Sequence, residues 1–344
     1  MRAVVIHGPH DLRVEEREAE TPGPGEVQVA IEAGGICGSD LHYYNHGGFG
    51  TVRVREPMIL GHEVAGTIRS LGEGVSSLAI GDRVAVSPSR PCQHCEYCLK
   101  GQQNQCLDMR FYGSAMPMPH IQGAFRQSLV AEEWQCHKVA EGVSINEAAF
   151  AEPLAVTLHA VNRAGSLLGK RVLVTGCGPI GALAIIAARA HGAREIVATD
   201  VMDAVLEKAR AVGADRTINV ASDPTALSAY SANKGTFDVQ FEASGNESAV
   251  RSGLEVLKPR SVLVQLGLGG DVSIPQNLVV AKEIEMKGTF RFHDEFALAV
   301  DLINARRVDL KPLMSGIYPI KDAVAAFEAA GDRSRSMKIH LSFT

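Results

Sequence analysis

The 344-residue chain has no surplus of basic residues: 34 Lys and Arg stand against 39 Asp and Glu, for a formal net charge of −5. That excludes the broad basic face on which non-specific nucleic-acid binding depends. No apolar run reaches the length of a membrane span. The opening Met1-Arg2-Ala3-Val4-Val5-Ile6 is too short for a signal peptide and reads as a first strand, ended by His7 and Gly8. Internal repeats, low-complexity tracts and nucleic-acid-binding modules are missing as well. What is there is 46% hydrophobic residues, a globular composition. The length suits two domains on a prior of roughly 150 residues each. The expectation is a cytoplasmic protein without membrane or nucleic-acid partners.

The first ~150 residues read as β-rich, with glycine and proline turns. Val27–Ala33 alternates as a half-buried strand should, and Glu63–Ile68 and Arg83–Val86 are further short strands. From about Ala155 the texture becomes βαβ. Strands are expected at Arg171–Thr175, Glu195–Thr199, Thr217–Val220, Phe237–Glu242, Ser261–Leu266 and Ile284–Phe290, with helices over Ile180–His191 and Ala204–Val212 among the connections. Such alternation gives a doubly wound parallel sheet of the Rossmann type. Residues after Asp294 should supply two helices and a terminal strand that return to the first domain. The expected division is 1–153 with 293–344 around an inserted 154–292.

Two residue sets carry metal chemistry. Four of the seven cysteines, Cys92, Cys95, Cys98 and Cys106, follow C-x2-C-x2-C-x7-C. In a reducing compartment such spacing is a closed tetrahedral zinc shell rather than a disulfide frame. The second set is Cys37, in Cys37-Gly38-Ser39-Asp40, with His62 and Glu63, in Gly61-His62-Glu63; Glu152, in Ala151-Glu152-Pro153, is a further donor. A catalytic zinc keeps three protein ligands and an open position. Either Glu63 or Glu152 could be the third ligand, and Asp40 could orient the His62 imidazole.

A dinucleotide loop follows the first βαβ strand: Gly176-Cys177-Gly178-Pro179-Ile180-Gly181. Glycines there let the backbone approach a pyrophosphate resting on the helix N-terminus. Asp200 closes the next strand and is suited to the adenosine ribose hydroxyls. The following Val201 and Met202 offer no cation for a 2′-phosphate, so NAD is favoured, with NADP possible. Gly267, just past the fifth strand, completes the cofactor candidates. A Lewis acid beside a hydride carrier points to reversible oxidation of an alcohol.

Taken together, Gly61-His62-Glu63-x-x-Gly66, the four-cysteine loop and the G-x-G-x-x-G turn resemble the zinc-containing medium-chain dehydrogenase/reductases over essentially the whole chain. The resemblance implies a GroES-like catalytic domain around the Rossmann sheet, two zinc ions per chain, and a homo-tetramer or dimer. Glu152 replaces a cysteine ligand of typical alcohol dehydrogenases, which is similar to the polyol branch. There Cys37, His62 and Glu63 would bind zinc, with Glu152 close by. The runs 34–44 and 108–116 are similar to the L-idonate 5-dehydrogenase group, which makes 5-keto-D-gluconate. That resemblance implies a sugar-acid or polyol substrate. The alternatives are sorbitol- or xylitol-type polyol dehydrogenases, L-threonine dehydrogenase and, remotely, a non-enzymatic zinc or NAD protein. By the same resemblance Ser39 and His42 form a proton relay, with Glu152 beside it. Arg110 and Arg291 are candidates for a substrate carboxylate, and Tyr43 and Phe111 for the pocket wall. Tyr112 stands where that group has Phe, and its phenol could add a hydrogen bond there.

Overall fold

The computed structural model describes residues 1–344. Its centre is a six-stranded parallel sheet in the order Arg216–Asn219, Glu195–Asp200, Arg171–Thr175, Phe237–Glu242, Leu257–Gln265, Glu285–Gly288. The first three strands run outward one way and the last three the other, so the order reverses beside Arg171–Thr175. That is the doubly wound arrangement expected from the sequence, with its crevice at the reversal. The helix Pro179–Ala190 leaves this central strand with Gly178 as its N-cap and Pro179 at its first position. Proline suits that position because the N–H it lacks would have no helical partner. From Gly181 to Ala188 every residue of the helix is buried, as its apolar run requires.

The second body is a sheet in the order Cys136–Lys138, Arg83–Val86, Glu63–Leu71, Glu26–Gly35, Lys338–Ser342, Met314–Pro319, with Ser128–Glu132 also paired to Glu26–Gly35. Glu26–Gly35 alternates buried and half-buried residues over most of its length, the period-2 pattern of a strand with one core face. The chain's last strand pairs antiparallel with it, His340 opposite Gly35. The C-terminal segment therefore does return to the first sheet, and it adds a strand, Met314–Pro319, that the sequence reading lacks.

Two local differences bear on the site. The expected boundary at 153/154 falls inside one continuous helix, Ala151–Ala164. The helix Glu295–Asn304 does not turn back at once: Phe296, Ala299, Val300 and Ile303 join the core formed by Ala151–Ala164 and Pro179–Ala190. The same core includes Ala33, Ala65 and Ala85 of the first sheet. The two bodies thus share apolar packing at the base of the cleft between them. No helix is long and apolar enough to cross a membrane.

Candidate active site and cofactor cleft

Three strand ends meet at the cleft. Glu26–Gly35 ends two residues before Cys37, Glu63 opens its antiparallel neighbour, and Lys338 opens the terminal strand. Register places Gly35 opposite Glu63. The sulfur of Cys37, a ring nitrogen of His62 and a carboxylate oxygen of Glu63 all lie within 4.8 Å of one another. Glu152 is not a member of this group. It sits buried in the first turn of Ala151–Ala164, close enough for its charge to interact with those of His62, Glu63 and Cys37.

Asp40 ties the ligand loops together. Its carboxylate accepts the Cys37 N–H at 3.0 Å and the Gly61 N–H at 3.1 Å. It lies 3.9 Å from His62 Nδ1, beyond a hydrogen bond. Asp40 also completes a capping box with Cys37 at the start of the helix Gly38–His46, so its structural and site roles coincide.

The residue that sequence reasoning missed is Lys338. It is buried, and its ammonium lies 2.6 Å from Glu63 Oε1 and 2.5 Å from Oε2 while donating to the Ile36 carbonyl at 3.1 Å. A signal was present: a lysine inside Met337-Lys338-Ile339-His340-Leu341 must find a partner if that strand is buried. Gly35 makes room for the pair, since a Cβ there would overlap Glu63 Oε2 and crowd Lys338 Cε.

The donor set fits a zinc ion. His62 Nδ1 and Glu63 Oε2 are buried without hydrogen-bond partners, the latter within ion-pair reach of Lys338 but off a bonding line. A buried polar atom left unpaired costs about 1–3 kcal/mol, which a bound cation would offset. From the chain's own groups, burial pushes the Cys37 thiol up to about 11, Glu63 adds to the rise, and Lys338 opposes it. Burial likewise pushes Glu152 up to about 8, against the pull of His62. Coordination to a cation would favour the Cys37 thiolate, the Glu63 carboxylate and the neutral His62 imidazole, and a cation nearby would favour the Glu152 carboxylate.

The four cysteines converge separately, again with ligand atoms within 4.8 Å of one another. Cys95 Sγ is 3.6 Å from Cys98 Sγ and 4.0 Å from Cys106 Sγ. A tetrahedron with Zn–S bonds of about 2.3 Å has edges of about 3.8 Å. Backbone N–H groups of Cys92 and Asp108 point at Cys106 Sγ, at 3.1 and 3.4 Å, and such donors favour thiolates. None of the seven cysteines forms a disulfide.

The substrate candidates separate. Arg291 lies with its guanidinium 4.3 Å from the Phe111 ring centre and 4.9 Å from that of Phe290. Phe111 in turn lies 5.6 Å from the His62 ring. Arg291 adopts φ 54°, a region uncommon for a residue with a side chain. Burial draws its pKa down to about 10, opposed by Glu152 and Tyr43. Tyr43 is buried, and its hydroxyl accepts the Ala115 N–H at 3.1 Å. Tyr43, Phe111 and Arg291 thus gather beside the donor group, but Arg110 does not. It precedes Phe111 in the short strand Arg110–Phe111, so it faces the other way and lines a different hollow with Glu20, Arg90 and Arg126. Tyr112 is also corrected: its hydroxyl donates to the Val130 carbonyl at 3.1 Å and lies 3.4 Å from Gln135 Oε1 in the core, away from the pocket.

Ser39 and His42 share one face of the helix Gly38–His46, three residues apart. Ser39 stands two residues past Cys37 in the first turn of this helix, while His42 is exposed to solvent. Partial desolvation by its neighbours and the charge of His46 lower the His42 pKa from its ordinary 6.5.

The cofactor candidates come together at the sheet's crevice. Gly176 has φ +81°, and a Cβ on Gly181 would collide with the Gly176 carbonyl, so the tight turn requires both glycines. Gly178 is open, with only Arg333 near a Cβ. This uncrowded turn at a helix N-terminus fits a dinucleotide pyrophosphate. Asp200 closes its strand with both oxygens engaged. Oδ2 accepts the Cys177 N–H at 2.7 Å, and Oδ1 accepts those of Val201 and Met202 at 2.7 and 3.2 Å. Gly267 packs against Gly245, where a side chain would not fit. Glu242, expected from the sequence only as a strand end, is buried there. It accepts N–H bonds from Ser244 and Gly245 at 2.9 Å and one from the Gln265 amide at 2.5 Å. It thereby fixes the loop opposite the Gly176 turn.

The chain matches the alcohol dehydrogenase GroES-like domain over residues 23–141 and the zinc-binding dehydrogenase model over 179–305. It belongs to this family of zinc-binding, NAD(P)-using dehydrogenases. Among its relatives, L-idonate 5-dehydrogenase (NAD(P)(+)) of Escherichia coli K12 is 42% identical over 343 residues, covering 99% of this chain and 98% of that protein. The solved structure of L-idonate 5-dehydrogenase from that species superposes with a TM-score of 0.96 over 99% of this chain and 98% of the other. Bovine sorbitol dehydrogenase is 35% identical over 333 residues, covering 95% of this chain and 92% of that protein.

Proposed function

We propose that the chain oxidises the 5-hydroxyl of L-idonate to give 5-keto-D-gluconate, with NAD or NADP as hydride acceptor. The full-length likeness to the E. coli enzyme carries this reading, joined to a cleft that sets Cys37, His62 and Glu63 beside Arg291. In it, Cys37, His62 and Glu63 hold the catalytic zinc with Glu152 beside it, and Cys92, Cys95, Cys98 and Cys106 hold the structural one. Zinc, when bound, supplies a Lewis acid that acidifies the substrate hydroxyl, and the nicotinamide accepts the hydride. Phe111 and Tyr43 wall the pocket against water. Arg291 offers two parallel donors to the sugar-acid carboxylate. Ser39 accepts the substrate hydroxyl proton as it releases its own toward His42, three residues on along the same helix face, and His42 passes a proton to solvent. The proposed domain division is that expected from the sequence, 1–153 with 293–344 and 154–292, with the helices Ala151–Ala164 and Glu295–Asn304 at the two crossings packed into one shared core. The unpaired edge of Glu285–Gly288, with exposed Met286 and Phe290 nearby, supports a homo-oligomer. Seven free cysteines suit a reducing cytoplasm.

A panel of L-idonate, sorbitol, xylitol and L-threonine, followed by NADH and NADPH absorbance, tests the substrate. L-Idonate should give the highest kcat/KM; preference for a neutral polyol would move the enzyme to the sorbitol group and remove the carboxylate role of Arg291.

The lowered His42 pKa leaves its imidazole neutral and able to accept a proton at neutral pH. His42→Ala should cut kcat by about tenfold to a hundredfold near neutral pH. The deficit should shrink in alkali, where hydroxide replaces the base, and also in acid, where the parent imidazole is itself protonated. A deficit independent of pH would take His42 out of the relay.

A further inference from the structure

The segment between the helix Ala323–Gly331 and the terminal strand belongs to the catalytic body, yet it reaches the cofactor crevice. Its backbone is firmly knit: Asp332 Oδ1 accepts the Ser334 N–H at 3.0 Å, and the Asp332 carbonyl accepts the N–H groups of Arg335 and Ser336 at 3.1 and 2.9 Å. From this turn Arg333 extends a guanidinium whose Nη2 is 3.6 Å from Asp200 Oδ2. The same nitrogen is 3.8 Å from the place a Cβ would take on Gly178. Arg333 is 57% exposed, whereas the Asp200 side chain is only 4% exposed. The guanidinium therefore lies on the open side of a carboxylate whose other faces are committed to backbone N–H groups.

A carboxylate at this position binds the ribose hydroxyls of NAD and repels the 2′-phosphate of NADP, unless a nearby arginine receives it. The residues directly after Asp200 supply no cation, but the fold brings one from 133 positions further along the chain. We propose that Arg333 receives the 2′-phosphate of NADP, so that one site takes both dinucleotides. Asp200 serves the ribose of NAD. When NADP binds, the exposed end of Arg333 turns from Asp200 to the phosphate, pairing with it through parallel N–H donors. Because Arg333 stands on the catalytic body and Asp200 on the Rossmann sheet, this contact spans the cleft.

The inference rests on the dinucleotide reading of the cleft, and direct binding separates the two. NADH and NADPH affinities are measured by cofactor fluorescence in the zinc-loaded parent, Arg333→Ala and Arg333→Lys. Arg333→Ala should weaken NADPH about tenfold or more while changing NADH less than about threefold, and lysine should restore part of the loss. An equal loss for both cofactors would place Arg333 on the shared pyrophosphate and overturn the proposal, as would no loss for either. A parent that binds NADH but not NADPH would also overturn it while leaving the dinucleotide site intact. A parent that binds neither would remove the dinucleotide reading itself.

Discussion

Cys37→Ser should leave the four-cysteine zinc in place, strip the catalytic zinc, and lower kcat by on the order of 10³-fold or more, since a Lewis acid supplies several kcal/mol of charge stabilisation. The fold should survive. Cys37 holds its local structure through its backbone: its N–H is accepted by Asp40, and its carbonyl accepts the Leu41 N–H at 3.2 Å. Serine preserves those bonds and nearly the same volume, but its hydroxyl is a poor zinc ligand beside a thiolate. Metal analysis with a thermal melt separates the effects. Loss of one metal with a melt close to the parent's is the expected pair of results. A fully metallated variant with unchanged kcat would remove Cys37 from the site.

The parts of this site that were legible in the sequence are those where chemistry restricts residue type within a short span. Only a few side chains ligate zinc, so Cys37, His62-Glu63 and the four-cysteine loop stand out. Only glycine fits at Gly176 and Gly181, so the dinucleotide turn does too. The parallel strands were legible because their apolar runs are short and regularly spaced. Neighbouring residues misled where a strand's alternation was ignored: Arg110 and Phe111 cannot both face the metal group, and Tyr112 follows Arg110 away from it. The partners met on the chain's return were not legible, although Lys338 in its apolar strand signals the need for one. Lys338 reaches Glu63 across 275 positions and Arg333 reaches Asp200 across 133, and no local pattern encodes either pairing. The helix Glu295–Asn304 shows the same limit. Its apolar face is equally suited to either body, and only the packing against Ala151–Ala164 decides between them.

Lys338→Met should give the largest loss of stability of any single change at the site, and the loss should depend on zinc. Methionine nearly matches the lysine stem in volume, so little packing is lost. What remains is a buried Glu63 carboxylate without its ammonium partner. Breaking a buried ion pair from one side typically costs about 3–5 kcal/mol, because the remaining charge is uncompensated. Zinc at Cys37, His62 and Glu63 would supply the missing positive charge. The zinc-depleted variant should therefore melt well below the zinc-depleted parent, while the zinc-loaded pair should differ much less. Glu63→Gln in the Lys338→Met background removes the orphaned charge and should recover much of the depleted-state loss, a coupling that a double-mutant cycle measures. Equal destabilisation with and without zinc would mean that Lys338 acts through the Ile36 carbonyl and strand packing alone, and that Glu63 does not face the metal.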